Sequence, residues 1–195
     1  VSPFSSPKVE LEQYPTPAGL AAEVLLQLER EFGAIVGKSV CDLGCGTGML
    51  GIGADLLGAS WVVGVDVDGE VLQEAEVNAR GLGSAVEFLR ADGSKVGWRD
   101  GMGVFDTVVM NPPFGTRKAG VDVALVKAAL QMAPVVFSMH KSSTREFLLK
   151  SAEEWGAEAS LVTPIAFPIP RMYAHHTDDK VSVEVDLLLF RRKEI

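Results

Sequence analysis

The sequence predicts an α/β domain in which helices cover both faces of a mostly parallel β-sheet. Two observations indicate this fold class. Short apolar runs rich in β-branched residues alternate with helical patterns through most of the chain, and a glycine-rich turn connects the first such run to the next helix. Strands that alternate with helices form parallel sheets covered on both faces. The 195 residues are enough to bury one full core.

The first element is predicted as an amphipathic helix over 16–33, with Thr16 as its N-cap, Pro17 at its first position and Gly33 at its end. Five apolar runs are then predicted as strands: 39–43, 61–65, 86–89, 104–110 and 135–138. Four helical patterns lie between or after these runs: 49–57, 70–80, 121–133 and 143–155. Ser143 and Glu146 have the spacing of a capping box at the start of the last helix.

The pattern changes after residue 155. Two longer apolar runs, 159–167 and 181–190, are joined by a polar stretch without a helical pattern, which predicts a closing β-hairpin. In the second run the odd-numbered positions are apolar, whereas Ser182, Glu184 and Asp186 are polar, so we expect one dry face and one wetter face. At the other end of the chain, residues 1–10 are predicted to form a flexible arm before a single domain over 11–195.

Composition narrows the class of protein. Hydrophobic residues make up 47% of the chain and charged residues 23%, and no apolar run is long enough for a membrane-spanning helix, so we expect a soluble globular protein. The chain opens without an apolar signal segment, and Cys41 and Cys45 form no disulfide framework. A cytoplasmic and nuclear location is therefore expected.

The net charge of −8 is unevenly distributed. Residues 1–110 contain 7 Lys/Arg and 16 Asp/Glu, whereas residues 111–195 contain 11 and 10. Proteins that neutralise nucleic-acid phosphates are normally basic, so the total argues against nucleic acid but the second half does not. Basic residues in that half are Arg117, Lys118, Lys141, Arg145, Arg171 and Lys180. The asymmetry indicates either two different ligands or an acidic solvated surface, and it predicts weak binding of nucleic acid by this chain alone.

The glycine-rich turn, Asp42-Leu-Gly-Cys-Gly-Thr-Gly48, lies between the first predicted strand and a helix. Glycines there let the backbone approach a ligand, and a helix N-terminus offers free N–H groups, which is typical of a nucleotide-type site. Gly46, Gly48 and Gly51 also match the dinucleotide fingerprint, with Asp66 twenty residues after Gly46. The glycines are equally compatible with a plain tight turn.

Two acidic residues, Asp42 and Asp92, favour S-adenosylmethionine over a nicotinamide cofactor. Asp42 suits a cationic methionine amine, Asp66 a ribose diol and Asp92 an adenine amine, whereas a pyrophosphate would be repelled by these acids. The alternatives are a strand-end cap for Asp66 and a turn residue for Asp92. The two cysteines make half a zinc site at most, so we expect no metal.

The most informative segment is Asn111-Pro-Pro-Phe114, directly after a predicted buried strand. Pro112 and Pro113 lack N–H donors and stiffen the turn. The Asn111 amide oxygen and the Pro112 carbonyl can each accept one hydrogen of an exocyclic NH2 group, which directs the nitrogen lone pair at a methyl donor. Phe114 offers a stacking face for a planar base. The alternative is a rigid loop at a strand end.

Taken together, these residues resemble a known family. The glycine turn and Asn111-Pro-Pro-Phe are similar to those of Rossmann-like class I S-adenosylmethionine-dependent methyltransferases. The strings at 11–16, 111–116, 140–146 and 183–187 narrow the resemblance to the methyltransferase-like protein 5 family of small-subunit rRNA adenine N6-methyltransferases. It covers 11–190 and implies a seven-stranded sheet of order 3-2-1-4-5-7-6 with one antiparallel strand.

The resemblance implies a role for individual residues. Asn111, Pro112, Pro113 and Phe114 would hold a target adenosine flipped from its RNA stack. Gln13 and Thr16 would close over S-adenosylmethionine, and the turn from Gly44 through Met49 would hold its methionine end. Asp66 would hold its ribose, and Asp92 with Gly93 its adenine. The matching cofactor positions are Gln13, Thr16, Asp42, Gly44, Gly46, Thr47, Gly48, Met49, Asp66, Asp92 and Gly93.

The resemblance also implies a small zinc-binding activator subunit. Strand three would be a sheet edge, so Val86 and Phe88 could pair with a partner strand there, unless Glu87 and Arg90 merely blunt the edge. Lys141 and Arg145 would touch RNA phosphates, or serve only the helix start.

Other functions remain open at this point. The same site could methylate a DNA adenine, a guanine N2 or a release-factor glutamine, or it could bind the cofactor without turnover. Phe114 in place of the tyrosine usual in glutamine methyltransferases counts against the release factor, and an intact Asn111-Pro-Pro-Phe counts against a scaffold.

Overall fold

The computed structural model of the chain describes residues 1–95, 104–114, 120–170 and 180–193. Its strands are β1 (Ser39–Leu43), β2 (Trp61–Asp66), β3 (Glu87–Arg90), β4 (Thr107–Met110), β5 (Val135–Lys141), β6 (Ala157–Pro170) and β7 (Lys180–Arg192). Its α-helices are α1 (Ala18–Phe32), α2 (Met49–Leu57), α3 (Gly69–Leu82), α4 (Val121–Met132) and α5 (Arg145–Ser151). Single 3₁₀ turns occupy Val9–Leu11, Ser142–Thr144 and Glu153–Trp155.

The strands of the described ranges form a seven-stranded sheet with the order β3-β2-β1-β4-β5-β7-β6. β1 to β5 pair in parallel, and β7 is antiparallel to both β5 and β6. This confirms the predicted fold class, strand order and closing hairpin. The order reverses between β1 and β4, and ligands of open α/β sheets bind outside the carboxyl ends of the strands at such a point.

Both faces of the sheet are buried. On one face, α1 and α2 pack against the sheet in a cluster that includes Leu28, Ile52 and Phe137. On the other face, α4 and α5 contribute Met132 and Leu148 to a second cluster. β4 lies between these layers and is buried at all four positions, which is why Val108, Val109 and Met110 are consecutive apolar residues and do not alternate with polar ones.

The first helix begins later than predicted. α1 starts at Ala18, and its N-cap position is Pro17, whose ψ of 138° is extended. Thr16 is therefore not the cap, and that prediction is wrong. A tertiary partner takes the hydroxyl instead, because the Asn111 side chain donates a hydrogen bond to Thr16 Oγ1.

The predicted helix over 143–155 is broken into three parts. A 3₁₀ turn precedes α5 and another follows it, and none of the described side chains caps the N-terminus of α5. The predicted capping box of Ser143 and Glu146 is therefore wrong. Neighbouring hydroxyls serve other partners, since Ser142 donates to Asp186 and Thr144 donates to the Lys141 carbonyl.

The last strand has the predicted wet face only over its first part. Ser182 and Glu184 are exposed, whereas Asp186 and Leu188 on the same face are fully buried, because β5 pairs with β7 over that part. The charge of Asp186 is compensated by Arg145, which donates from Nε and Nη2 at 2.6 and 2.7 Å.

The N-terminal arm, predicted to be flexible, packs along α3. Ser2 exchanges hydrogen bonds with the Asn78 side chain, and Ser5 donates to Glu74. The Lys8 ammonium lies 2.9 Å from Asp68 and 2.8 Å from Glu70.

In the described ranges, no helix is both long and apolar enough to cross a membrane.

Candidate active site

The glycine-rich turn joins β1 to α2 in a conformation that only glycine adopts readily. Gly44, Gly46 and Gly48 have φ values of 75°, 52° and 87°. Two carboxylates hold the turn, since the Gly46 N–H donates to Asp66 at 2.9 Å and the Gly51 N–H donates to Asp42 at 2.7 Å. The backbone around Gly44 is open, because a Cβ there would meet nothing within 4 Å.

Burial makes both of these carboxyl groups less acidic. It raises the pKa of Asp42 to about 7, although the Gly51 N–H opposes the shift. It also raises the pKa of Asp66, against hydrogen bonds from the N–H groups of Asp68 and Gly46. A cationic ligand beside these groups would favour their ionised forms. These two carboxylates therefore fit a cationic ligand such as S-adenosylmethionine, which carries an amine and a sulfonium.

A cavity opens over the carboxyl ends of β1, β2 and β4 and collects most of the predicted cofactor residues. Among these, only Gly48 lies outside the lining. Residues lining the cavity that the sequence indicated are Gln13, Thr16, Asp42, Gly44, Gly46, Thr47, Met49, Asp66, Asp92, Gly93, Asn111 and Pro113. The structure thus brings together residues from the N-terminal segment and from four different strand ends.

Asp92 and Gly93, which follow β3, have different surroundings. The Lys95 ammonium lies 2.6 Å from the Asp92 carboxylate, and together with the Ser94 hydroxyl it lowers the Asp92 pKa. A Cβ on Gly93 would lie 2.6 Å from Leu43 Cδ1, so this backbone packs directly on the end of β1. The predicted adenine contact of both residues stays a prediction.

Asn111 and Pro112 follow β4 at the same edge of the sheet. Asn111 Nδ2 donates to Thr16 Oγ1 at 3.0 Å, while Asn111 Oδ1 is buried and has no hydrogen-bond partner among the described residues. The Pro112 carbonyl accepts a hydrogen bond of 3.3 Å from the Tyr14 hydroxyl. The two predicted amine acceptors belong to consecutive residues, and one of them is unfilled.

Phe114 is less accessible than a stacking platform requires. Its side chain is 9% exposed, with ring centroids 5.1 Å from Tyr14 and 6.1 Å from Phe167. The gap between Tyr14 and Phe114 is too small for a base to enter. A base that stacks on this face of Phe114 must therefore displace the Tyr14 ring.

Sequence reasoning missed Tyr14 and Asp68. Burial raises the pKa of Tyr14 well above its ordinary value, so its hydroxyl remains a donor. Asp68 caps α3 and accepts hydrogen bonds from Lys8 and Gln13 at 2.9 Å each. The available signals were the place of Tyr14 inside the string 11–16 and an Asp-Gly-Glu start to α3.

The two residues predicted to contact RNA phosphates, Lys141 and Arg145, differ in their surroundings. Arg145 is engaged by the buried Asp186, which satisfies much of its donor capacity, so a phosphate contact there would compete with an internal ion pair. Lys141 lies at the end of β5, and its phosphate contact stays a prediction. Arg117, Lys118, Arg171 and the Lys180 side chain lie outside the described residues. In the described part of the chain, no group of His, Cys, Asp and Glu could hold a metal.

The chain is similar to several known proteins. The methyltransferase small domain family matches residues 20–139. An rRNA N(6)-adenosine-methyltransferase of Drosophila melanogaster is 41% identical over 97% of this chain and 91% of its own length. A candidate RNA methyltransferase from Pyrococcus horikoshii superposes with a TM-score of 0.86 at 36% identity, covering 98% of this chain and 92% of its own. A magnesium protoporphyrin IX methyltransferase solved with bound S-adenosylmethionine shares the fold, with a TM-score of 0.66 at 19% identity over 89% of this chain and 79% of its own.

Proposed function

This chain belongs to the methyltransferase small domain family, and we propose that it methylates the N6 amine of an adenosine in small-subunit ribosomal RNA. S-adenosylmethionine is its cofactor and supplies an electrophilic methyl group on a sulfonium leaving group. The turn at Gly44–Met49, with Asp42 and Asp66, would hold it in the cavity described above.

One observation carries the proposal. The buried Asn111 Oδ1 lacks a partner among the described residues, and Asn111, which directly precedes Pro112 in the chain, lines the cofactor cavity. An exocyclic NH2 group has two N–H donors, so one amine would satisfy both oxygens. Buried polar atoms are nearly always paired in native proteins, which makes the unfilled oxygen an indicator of a ligand.

These oxygens also account for the chemistry. The lone pair of an aromatic amine is delocalised into its ring, so the nitrogen is a weak nucleophile. Two fixed acceptors favour the pyramidal nitrogen that develops during attack, and they would position the amine for transfer of the methyl group. No general base is needed, because the ammonium product loses its proton readily once methylated.

The relatives and the charge of the chain support this target class. The Drosophila relative is named for N6 methylation of adenosine in rRNA, and residues 111–195, which supply the amine site, carry a slight basic excess. Entry of a flipped base would replace the Tyr14 ring against Phe114. DNA adenine, guanine N2 and a release-factor glutamine are the competing amine or amide substrates.

We also propose that a small zinc-binding activator subunit pairs with β3. This strand is an edge of the sheet, and Leu89 is 44% exposed on it. Phe88 packs inward, since a Cβ on Gly64 would lie 2.7 Å from its ring, so the partner would contact the backbone and the Leu89 side of the strand. Leu89→Arg should abolish co-purification with the activator, and unchanged recovery would contradict this interface.

One labelling experiment tests the target. The chain is purified with its activator and incubated with radiolabelled S-adenosylmethionine and either small-subunit rRNA, large-subunit rRNA, genomic DNA or release factor. Digestion of the small-subunit rRNA should yield labelled N6-methyladenosine. Label confined to DNA, release factor or large-subunit rRNA would overturn the proposal.

A further inference from the structure

The acceptor role of Asn111 requires one orientation of its side-chain amide. A carboxamide has an oxygen that accepts hydrogen bonds and an NH2 group that donates them, and the two ends have nearly the same shape. Only the oxygen can receive an N–H of the target amine. The reversed amide would set donors against donors, so the target amine itself selects the orientation, and the site needs a group that holds the amide in place.

Thr16 holds the nitrogen end of this amide. Asn111 Nδ2 donates to Thr16 Oγ1 at 3.0 Å, and Thr16 is buried. Asn111 Oδ1 is the opposite end and is buried with no partner in the described ranges. An incoming N–H group would complete this arrangement, because the donor end of the amide is already paired and the acceptor end is not.

The segment that carries Thr16 is fixed on both sides. The Gln13 side chain accepts from the Lys8 N–H at 2.7 Å and donates to Asp68 at 2.9 Å, which ties the segment to the start of α3. On its other side, Thr16 leads through Pro17 into α1, whereas the hydrogen bond from the Tyr14 hydroxyl to the Pro112 carbonyl would be lost when a base displaces the Tyr14 ring. Pro15 and Pro17 flank Thr16 and restrict its backbone. Thr16 therefore presents its hydroxyl from a constrained position.

We propose that Thr16 is a positioning residue, which holds the Asn111 amide nitrogen and thereby directs Oδ1 at the target amine. The inference rests on the proposed methylation of an amine held by Asn111, and it gives Thr16 a role other than the cofactor contact that the resemblance implies. Thr16 acts through Asn111 and touches neither the amine nor the methyl group.

Two substitutions of Thr16 separate the hydroxyl from the shape of the side chain. Thr16→Val keeps the shape and removes the hydroxyl, so the Asn111 amide loses its anchor and Oδ1 is no longer held at the amine site. We expect the single-turnover rate at saturating cofactor and substrate to fall about 10- to 100-fold, as for loss of one buried hydrogen bond. Because Thr16 also lines the cofactor cavity, the Kd of S-adenosylmethionine, measured by calorimetry, can rise, but it should change much less than the rate. Thr16→Ser keeps the hydroxyl and should recover most of the lost rate.

Thr107 provides a matched control. It is another buried threonine, and its hydroxyl donates to the Ala34 carbonyl at 2.8 Å, but it starts β4 and lies outside the amine site. Thr107→Val should lower the melting temperature by an amount similar to Thr16→Val and leave the single-turnover rate unchanged. Equal rate losses in both variants would show that lost stability explains the effect and would overturn the inference.

A substrate-free measurement keeps the inference separate from the proposed function. The Asn111 side-chain amide resonances of ¹⁵N-labelled protein should shift in Thr16→Val and return close to their original positions in Thr16→Ser. A wild-type rate in Thr16→Val, or a loss of cofactor affinity as large as its loss of rate, would contradict positioning. If the wild-type chain labels DNA or a protein amide, the rRNA proposal fails, while the same variants on that substrate still test Thr16.

Discussion

The cofactor half and the amine half of the cavity differ in how their polar groups are satisfied. In the cofactor half, Asp42 accepts from Gly51, Asp66 accepts from Gly46, and Asp92 binds Lys95. In the amine half, Asn111 Oδ1 is buried without a partner among the described residues. The first half is therefore organised before any ligand arrives, whereas the second keeps one acceptor unfilled.

This difference separates two kinds of effect. Carboxylates that already hold the glycine turn affect the shape of the cofactor pocket, so their removal should change cofactor affinity. An unfilled acceptor contributes only when the amine is present and most strongly as its charge develops, so its removal should change the rate. Substitutions in the two halves should therefore alter different kinetic constants.

The largest effect is expected for Asn111→Ala. It removes an acceptor from the amine, and by analogy with loss of one oxyanion-hole donor the single-turnover rate should fall about 100- to 1,000-fold. The Kd of S-adenosylmethionine should change little, because no cofactor-turn hydrogen bond involves Asn111 among those described. Rapid-quench methylation and calorimetric titration measure the two quantities. A comparable loss of cofactor affinity would place Asn111 in the cofactor half.

Asp66→Ala should act in the opposite way. It removes the acceptor of the Gly46 and Asp68 N–H groups and the proposed ribose ligand, so the Kd of S-adenosylmethionine should rise about tenfold or more. The rate at saturating cofactor should change much less. Asp106→Ala is the matched control, because Asp106 likewise accepts from a backbone N–H, that of Ser39, at the far end of β1. Its cofactor Kd should equal that of the wild-type chain.

The cofactor half could be predicted from sequence and the coupling between the halves could not. β1 and α2 have the predicted bounds, because glycines mark both ends of the turn between them. The contact of Tyr14 with Pro112 joins positions 98 residues apart, and no local pattern reports such a distance. Thr16 is a second example. Its position before a helix predicts an N-cap, but its hydroxyl instead accepts a hydrogen bond from Asn111, which is 95 residues away in the chain.

An intermediate effect on stability is expected for Asp186→Asn. Burial by itself would raise the Asp186 pKa, but hydrogen bonds from Arg145 and Ser142 outweigh it and hold the pKa below its ordinary value of 3.8. A lowered carboxyl pKa stabilises the fold above the unfolded-state value, and this contribution is lost as pH falls through the folded-state value. The variant should unfold with about 1 to 3 kcal/mol less free energy at pH 7.

The pH dependence separates this ion pair from simple packing. The stability difference between Asp186→Asn and the wild-type chain should be constant from pH 7 to about 5 and shrink below about pH 4. Urea unfolding at a series of pH values measures it. A difference that stays the same down to pH 2.5 would indicate that the substitution acts through packing and not through the charge of Asp186.

The smallest effect is expected for Phe4→Ala in the N-terminal arm. The Phe4 ring lies against the glycine turn, since a Cβ on Gly46 would be 2.9 Å from Phe4 Cζ, and it lines the cofactor cavity. Loss of this apolar cover should speed release of S-adenosylmethionine and raise its Kd about two- to fivefold. The rate at saturation should stay unchanged, because Phe4 contributes nothing to the amine acceptors. Phe4→Leu keeps an apolar side chain and should restore most of the affinity. If stopped-flow measurements show that Phe4→Ala releases S-adenosylmethionine at the wild-type rate, the N-terminal arm does not cover the bound cofactor.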